Sequence, residues 1–144
     1  MVRIRIADEV TPKLVDSYKK LIPQLSTSSL PPTEEELDQI IRSDASMILI
    51  AENNNNEIVG TMTLVLFHIP TGLRAWIEDV VVDNDHRGEG IGKKLNQKAL
   101  QIAEKAGAKT VELTSRPARE SANRLYQDLG FQKRETNVYR FSFD

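Results

Sequence analysis

The sequence predicts an α/β fold in which a central mixed β-sheet is flanked by about four helices. Three observations predict it: extended segments alternate with helical stripes, the first half reads as antiparallel, and the second half contains one β-α-β unit. Parallel strands need a right-handed crossover, so this unit makes the sheet mixed. The predicted order of elements is β-α-α-β-β-β-α-β-α-β.

The first half of the chain supplies a strand, two helices and a hairpin. Residues 2–6 alternate as a strand does, and a helix then begins with Pro12 at its first position. The segment Thr33–Glu36 is a capping-box sequence and predicts the start of a second helix. The apolar runs 47–52 and 58–67 flank an asparagine turn, so they predict an antiparallel hairpin.

The second half supplies the β-α-β unit and a last helix. We predict a strand over 73–83, a helix over 90–106, a strand over 110–114, a helix that Gly130 ends, and a strand or strand pair over 131–143. The 144 residues suit one domain and can bury a core without disulfides, so we expect residues 1–144 to form a single domain.

Composition excludes several classes of protein. The chain has no cysteine, which excludes a disulfide scaffold, a thiol nucleophile and thiolate zinc sites, and its two histidines are too few for most metal sites. The net charge of −2 speaks against nucleic-acid binding. The chain also has neither a membrane-length apolar run nor the apolar segment of a signal peptide. We therefore expect a cytoplasmic protein that uses no metal and binds neither nucleic acid nor membrane.

The most informative segment joins the 73–83 strand to the next helix. Gly88, Gly90 and Gly92 stand at every second position where that helix begins. Glycine lets the backbone approach a ligand, and the first N–H groups of a helix are unpaired and partly positive. Such a helix start binds phosphate, and Arg87 and Lys93 add positive charge on either side. The segment therefore predicts a ligand that carries a phosphate or pyrophosphate.

Two common phosphate loops do not fit the spacing of these glycines. A Walker A loop has four residues between its glycines and then Lys followed by Ser or Thr. Here three residues separate Gly88 from Gly92, and position 94 is lysine. In the dinucleotide fingerprint the third glycine comes one residue later than it does here.

The segment instead resembles the acetyl-CoA loop of the GNAT superfamily of N-acetyltransferases, whose pattern is Arg/Gln-x-x-Gly-x-Gly/Ala. Arg87, Gly90 and Gly92 match that pattern in register. Residues 122–131 are similar to the family's second motif, with its Asn, its Tyr and its terminal Gly-Phe. The resemblance implies a GNAT-like fold, acetyl-CoA as co-substrate, and transfer of an acetyl group to a primary amine.

The resemblance also implies which residues bind the co-substrate. In the family, the strand before the loop offers backbone hydrogen bonds to the pantetheine arm, which lies where two strands diverge. The Asn of the second motif contacts the CoA arm. The implied cofactor-binding residues are Val80, Val81, Val82, Arg87, Gly88, Glu89, Gly90, Ile91, Gly92, Lys93, Asn123 and Tyr126.

Acetyl transfer to an amine poses two proton problems. The ammonium, with a pKa of about 10, must lose a proton, and the leaving CoA thiolate, with a pKa of about 8.5, is helped by an acid. Tyr126 matches the family's tyrosine near the thioester sulfur and is the candidate acid; its other interpretation is a core aromatic. Because the chain has no cysteine, direct attack in a ternary complex is the simplest mechanism.

Glu78 and Asp79 interrupt an apolar strand and are the candidate bases. Adjacent strand residues face opposite sides, so at most one of them points into a given cleft. Burial raises the pKa of a carboxyl group toward that of a useful base, although Glu78 can also pair with a surface cation. Residues 77–79 resemble the glucosamine-phosphate acetyltransferase branch, in which the matching pair helps hold the amino sugar. Residues 113–117 depart from that branch, so we do not infer a sugar substrate.

Two other functions stay open at this point. One is a non-catalytic acetyl-CoA-binding regulatory module, which Tyr126 and the nearby carboxylates argue against. The other is an interaction protein that has lost the ligand, which the glycine loop argues against. The sequence does not identify the amine, although the compact length favours a small molecule or a peptide end. A homodimer is a further expectation, because C-terminal edge strands need cover.

Overall fold

The computed structural model describes residues 1–143, which contain five strands and four α-helices. The elements are β1 (Arg3–Ile6), α1 (Pro12–Leu25), α2 (Glu34–Arg42), β2 (Ser46–Glu52), β3 (Ile58–Ile69), β4 (Gly72–Val82), α3 (Ile91–Ala106), β5 (Val111–Glu112) and α4 (Glu120–Asp128). Residues 1–113 form one compact unit, and the chain from Thr114 onward forms a second. No helix in the described part of the chain is both long and apolar enough to cross a bilayer.

The five strands lie in one mixed sheet in the order β1-β2-β3-β4-β5. The first four strands pair with their neighbours in antiparallel fashion, and β5 pairs with β4 in parallel after the α3 crossover. The structure therefore confirms the mixed sheet, the hairpin and the β-α-β unit that the sequence predicts.

Local side-chain signals set where α1 and α2 begin. The Thr11 hydroxyl accepts a hydrogen bond from the Leu14 amide at 3.1 Å, and proline occupies the first turn of α1. At α2 the amides of Thr33 and Glu36 each donate to the other residue's side chain, at 3.0 and 3.1 Å. These bonds satisfy amides that a helix start leaves unpaired, and both predicted starts are confirmed.

The core lies on both faces of the sheet. Helices α1 and α2 pack on one face, where their apolar side chains join alternate strand residues in a buried cluster. The buried members of this cluster are Ala7, Leu14, Tyr18, Leu21, Ile22, Leu37, Ile48, Ile50, Ile58 and Val81. Helix α3 contacts β2, β3 and β4. A Cβ added at Gly60 would lie 3.0 Å from Ile91 and 3.3 Å from Leu95, so the lack of a side chain there lets α3 approach β3 closely.

Two predictions about the last part of the chain are wrong in extent. Strand β5 spans only Val111–Glu112, not residues 110–114. Residues 131–143 form neither a strand nor a helix, and Val138 and Tyr139 are 73% and 87% exposed. A strand needs a partner, and residues 114–143 of the second unit contain no other strand to pair with. The homodimer expectation therefore loses the C-terminal edge strands on which it rested.

A buried carboxylate ties β1, β2 and α1 together. Glu52 is 5% exposed; it pairs with Arg5 on β1 and accepts a hydrogen bond from Lys13 on α1 at 2.7 Å. The hydrogen bond from Arg5, and then that from Lys13, lowers the pKa of Glu52 to about 2, although burial opposes the shift. The ionised carboxylate therefore stabilises the fold at neutral pH.

Replacing Glu52 should make stability less sensitive to acid. Glu52→Gln is expected to lower the free energy of unfolding by roughly 2 kcal/mol at pH 7, since it removes hydrogen bonds to a charged group. The folded pKa lies below the usual 4.5, so this contribution is complete above that value and is lost as the pH falls toward 2. Urea unfolding between pH 7 and 2.5 measures it, with exposed Glu104→Gln as the control. A difference between wild type and Glu52→Gln that does not shrink in acid would contradict the prediction.

Candidate functional site

Strand β4 has one edge that is only partly paired. It pairs with β3 along its length as far as Val82, but its pairing with β5 stops at the register pair of Trp76 and Glu112. Beyond Trp76, no described strand occupies that second edge. The backbone N–H and C=O groups on that edge can therefore pair with an extended ligand that carries amide groups. This is the arrangement expected if β4 and β5 diverge beyond Trp76.

A β-bulge lies within this half-paired stretch. Thr61 of β3 pairs with Val81, and Thr63 pairs with Glu78, so two residues of β4 oppose one residue of β3. Asp79 is the first residue of the bulge and has a left-handed backbone, with φ of 52°. A non-glycine residue rarely adopts this conformation, and bulges of this kind re-aim side chains next to functional sites.

The bulge breaks the alternation that the sequence analysis assumes. Ile77 and Val81 are buried, whereas Glu78 and Asp79, although adjacent, are both exposed. The Glu78 carboxylate accepts a hydrogen bond of 2.7 Å from the indole of Trp76, so its exposed partner is an aromatic and not a surface cation. Partial burial, and then the charge of Glu78, raises the pKa of Asp79. The raised pKa makes the Asp79 carboxylate a better proton acceptor than an ordinary aspartate.

Tyr18 of α1 is a neighbour of Asp79 that the sequence did not reveal. The side chain is 6% exposed, and burial raises the pKa of Tyr18 to about 12; the Thr61 hydroxyl opposes the rise and the Asp79 charge adds to it. The phenol therefore stays neutral beside the bulge. In the sequence Tyr18 is only one apolar position of a helical stripe, so no local signal distinguishes it.

Glycine at two positions of the loop is required by backbone conformation. Gly88 and Gly90 have φ of 82° and 80°, in the region that favours glycine, and nothing lies within 4 Å of a Cβ added at either position. Gly92 lies within the first turn of α3 and has no positive φ. Helix geometry does not demand glycine there, which agrees with a ligand that approaches the backbone.

The first turn of α3 presents unpaired donors. No described group accepts a hydrogen bond from the amides of residues 91–93, and no side chain caps the helix. Arg87 and Lys93 are exposed on either side, and Glu89 lies 3.4 Å from His86. Free amides, the helix dipole and two cations are chemically suited to a phosphate-bearing ligand.

The two remaining predicted residues lie on α4 in the second unit. Tyr126 is 8% exposed, and its ring contacts that of Phe131 edge-on at 5.7 Å. Burial raises the pKa of Tyr126, although the charge of Arg119 opposes the rise. The side-chain amide of Asn123 donates to the Arg116 carbonyl at 3.0 Å, so part of its hydrogen-bonding capacity is used within this unit.

The first unit thus brings most predicted site residues onto one continuous strand, loop and helix start. They are Glu78, Asp79, Val80, Val81, Val82, Arg87, Gly88, Glu89, Gly90, Ile91, Gly92 and Lys93. Of the three valines, Val81 directs its side chain into the buried cluster, which holds the strand in place. The free backbone edge of β4 suits an amide-containing chain and the start of α3 suits a phosphate, and the raised-pKa carboxyl group of Asp79 lies on the same strand.

The model of the acetyltransferase (GNAT) family matches residues 14–131 of the chain. This span runs from within α1 to just past α4, so it includes the bulge, the glycine loop and Tyr126.

The chain is also similar to curated N-acetyltransferases. It is 33% identical to N-acetyltransferase 8B of Homo sapiens over an alignment of 127 residues, which covers 78% of this chain and 56% of that protein. It is 30% identical to N-alpha-acetyltransferase 30 of Schizosaccharomyces pombe over 92 residues, which are 64% of this chain and 61% of that protein. The chain spans less than two thirds of the length of either relative.

Among solved structures, an acetyltransferase of Trypanosoma brucei has a similar fold. The TM-score is 0.78 and the sequence identity 26%, and the match covers 99% of this chain and 100% of that chain. The similarity thus extends over the sheet and the helices, and it agrees with the fold class that the sequence predicts.

Substitutions at the bulge should separate backbone strain from side-chain chemistry. Asp79→Val is expected to lower the free energy of unfolding by about 1–2 kcal/mol, because a β-branched residue does not tolerate this left-handed backbone. Asp79→Asn should change it by less than about 0.5 kcal/mol, since asparagine adopts that conformation readily. Glu78→Val, next to it on ordinary strand backbone, is the matched control, and urea unfolding measures all three. Equal costs for the two valine variants would contradict the assigned bulge.

Proposed function

Because the chain belongs to the GNAT family of acetyltransferases, we propose that it transfers an acetyl group from acetyl-CoA to a primary amine of a small molecule or peptide. The observation that carries the proposal is the uncapped start of α3, which follows the half-paired strand β4 after the glycine loop. The strand edge that suits amide groups and the helix start that suits phosphate are neighbours along the chain. In CoA, the pantetheine arm, which carries amides, is likewise joined to the pyrophosphate.

The residues present fit acetyl-CoA. The free amides of residues 91–93, with Arg87 and Lys93, suit the pyrophosphate. The backbone of Val80 and Val82 suits the pantetheine amides, because β5 does not reach it. When bound, the co-substrate supplies an acetyl thioester, whose carbonyl carbon is the electrophile.

A carboxylate at the bulge is proposed as the base. The attacking ammonium must lose a proton before its nitrogen can form the new C–N bond. Asp79 has a raised pKa and no hydrogen-bond donor among the described residues, so it is available to take that proton directly or through water. Glu78 is already held by the Trp76 indole, which suits it better to orienting the amine.

Tyr126 is proposed as the acid. The C–S bond breaks as the acetyl group leaves, and a proton on the sulfur completes the step. Burial raises the pKa of Tyr126, so the phenol is protonated at neutral pH and can donate. Because the chain has no cysteine, the acetyl group is proposed to pass directly from sulfur to the amine nitrogen, without an acyl-enzyme.

The amine is proposed only as a class. One relative is named for acetylation of an α-amino group, which supports a peptide N-terminus as one candidate. Small amines remain the other candidate, and a regulatory module that binds acetyl-CoA without turnover is the alternative function.

Binding should depend on the glycine at the start of α3. Gly90→Asp is expected to weaken acetyl-CoA binding at least tenfold, roughly 1.4 kcal/mol, because it places a carboxylate against the pyrophosphate. Isothermal titration calorimetry measures the Kd.

The matched control is Gly107→Asp at the other end of α3. Gly107 also has a positive φ, 89°, and open space around its Cβ position, so the backbone penalty and the added charge are the same. This control should bind acetyl-CoA within about twofold of wild type. A wild type that does not bind acetyl-CoA would refute the proposed function, and equal losses in both variants would refute the site.

Substituting the proposed acid or the proposed base should reduce catalysis without weakening acetyl-CoA binding. Tyr126→Phe and Asp79→Asn are each expected to lower kcat by roughly 10²–10⁴-fold with little change in the Kd of acetyl-CoA, the usual effect of losing an acid or base. Glu78→Gln should mainly raise the KM of the amine. Free CoA thiol released with a panel of amines and N-terminal peptides provides the readout. Tight acetyl-CoA binding without thiol release on any amine would favour the regulatory module.

A further inference from the structure

Asp83 is a buried charge that the proposed mechanism does not use. It follows β4 directly and is 3% exposed. Its carboxylate pairs with Lys20 at 3.0 Å and accepts a hydrogen bond from the Gln24 side chain at 3.3 Å. Both partners lie on α1, 59 residues or more away along the chain. A buried carboxylate is costly unless partners of this kind offset its lost hydration.

Gln24 also holds the loop through the main chain. Its side-chain oxygen accepts a hydrogen bond from the Asn84 amide at 2.7 Å, and its side-chain nitrogen donates to the Lys20 carbonyl at 3.2 Å. One side chain thus contacts α1, the Asp83 carboxylate and the backbone of the loop. The amide of glutamine is suited to this, because it donates and accepts at once.

Asp83 in turn organises the turn that leads to the phosphate loop. Its amide donates to the Val59 carbonyl at 2.9 Å, its carbonyl accepts from the His86 amide at 2.9 Å, and its carboxylate accepts from the Asp85 amide at 3.4 Å. Arg87 follows His86 directly along the chain. The orientation of the Arg87 to Gly90 segment therefore starts from a turn that Asp83 holds.

The charges of this cluster agree with that role. Burial acts to raise the pKa of Asp83, but the hydrogen bonds from Lys20, Gln24 and Asp85 outweigh it and the pKa is lowered. The hydrogen bond to Asp83 raises the pKa of Lys20. Both groups are charged at neutral pH, and a persistent ion pair can orient a turn.

We propose that Lys20 and Gln24 of α1, acting through Asp83, are positioning residues that hold the phosphate loop in the conformation that receives the co-substrate. The inference rests on the proposed function for its consequence, since the loop conformation matters because it binds acetyl-CoA. Glycine has more backbone freedom to lose on ordering than other residues, so a fixed turn before Gly88 and Gly90 lowers the ordering cost of binding.

The experiment uses Gln24→Ala, because substituting the buried Asp83 could unfold the protein for reasons unrelated to the loop. We expect the Kd and KM of acetyl-CoA to rise roughly three- to tenfold, the effect of losing hydrogen bonds of this kind, while kcat stays within about twofold. Lys20→Met should act in the same direction. The matched controls are Lys19→Met, at an exposed position of the same helix, and Gln101→Ala, at an exposed position of α3. Both controls should keep the wild-type Kd, KM and kcat.

A second measurement needs no co-substrate. Hydrogen exchange of the His86 amide, which bonds to Asp83 and not to Gln24, should be faster in Gln24→Ala than in wild type or Gln101→Ala. Unchanged exchange at His86 overturns the inference whether or not acetyl-CoA binds. A fall in kcat with unchanged KM would overturn it too. Failure of wild type to bind acetyl-CoA refutes the proposed function, and the His86 amide still decides whether α1 holds the turn.

Discussion

The candidate site depends on one constraint: β4 is paired with β3 as far as Val82 but with β5 only at Ala75 and Trp76. Pairing with β3 keeps the strand in the sheet, while no strand of residues 1–143 pairs with its other edge beyond Trp76. An open edge is ordinarily a liability of a sheet. Here it lies next to the start of α3, where a ligand with amide groups can take the place of the missing strand.

The open edge is kept rigid from its other side. Val81 is 4% exposed and packs in the cluster that α1 and α2 build on the sheet, so the strand is anchored by side chains where backbone partners are lacking. Tyr18 of the same cluster lies beside the bulge. One helix thus supports the strand from the core, and its polar side chains reach the turn at Asp83. Rigid support of this kind is what a binding edge needs, because ordering it on binding would cost free energy.

The chain as a whole has a net charge of −2, so any positive potential at the candidate site must come from groups close to it. The positive potential comes from the free amides at the start of α3 and from Arg87 and Lys93. Two of the acidic residues nearby have basic partners: Asp83 pairs with Lys20, and Glu89 lies close to His86. Asp79 has no such partner among the described residues, and its carboxyl group stands at the strained bulge, where a proton acceptor is useful.

Much of the fold and part of the site could be predicted from the sequence, because their signals are local. Apolar periodicity located the elements from β1 to α4, the Thr33 capping box located α2, and the glycine spacing located the phosphate loop. The same periodicity failed at residues 131–143, since alternation shows only that a segment could pair and not that a partner exists.

The sequence by itself determined the order of elements as far as α4, the helix start with its three glycines and the chemistry of the residues beside it, because each depends on neighbours within a few positions. Only the tertiary structure decided where the pairing of β4 with β5 ends, the left-handed bulge that exposes both Glu78 and Asp79, and the contact of Gln24 with Asn84 across 60 residues. Those features depend on strand register and on packing between distant segments, and no local pattern in the chain encodes either.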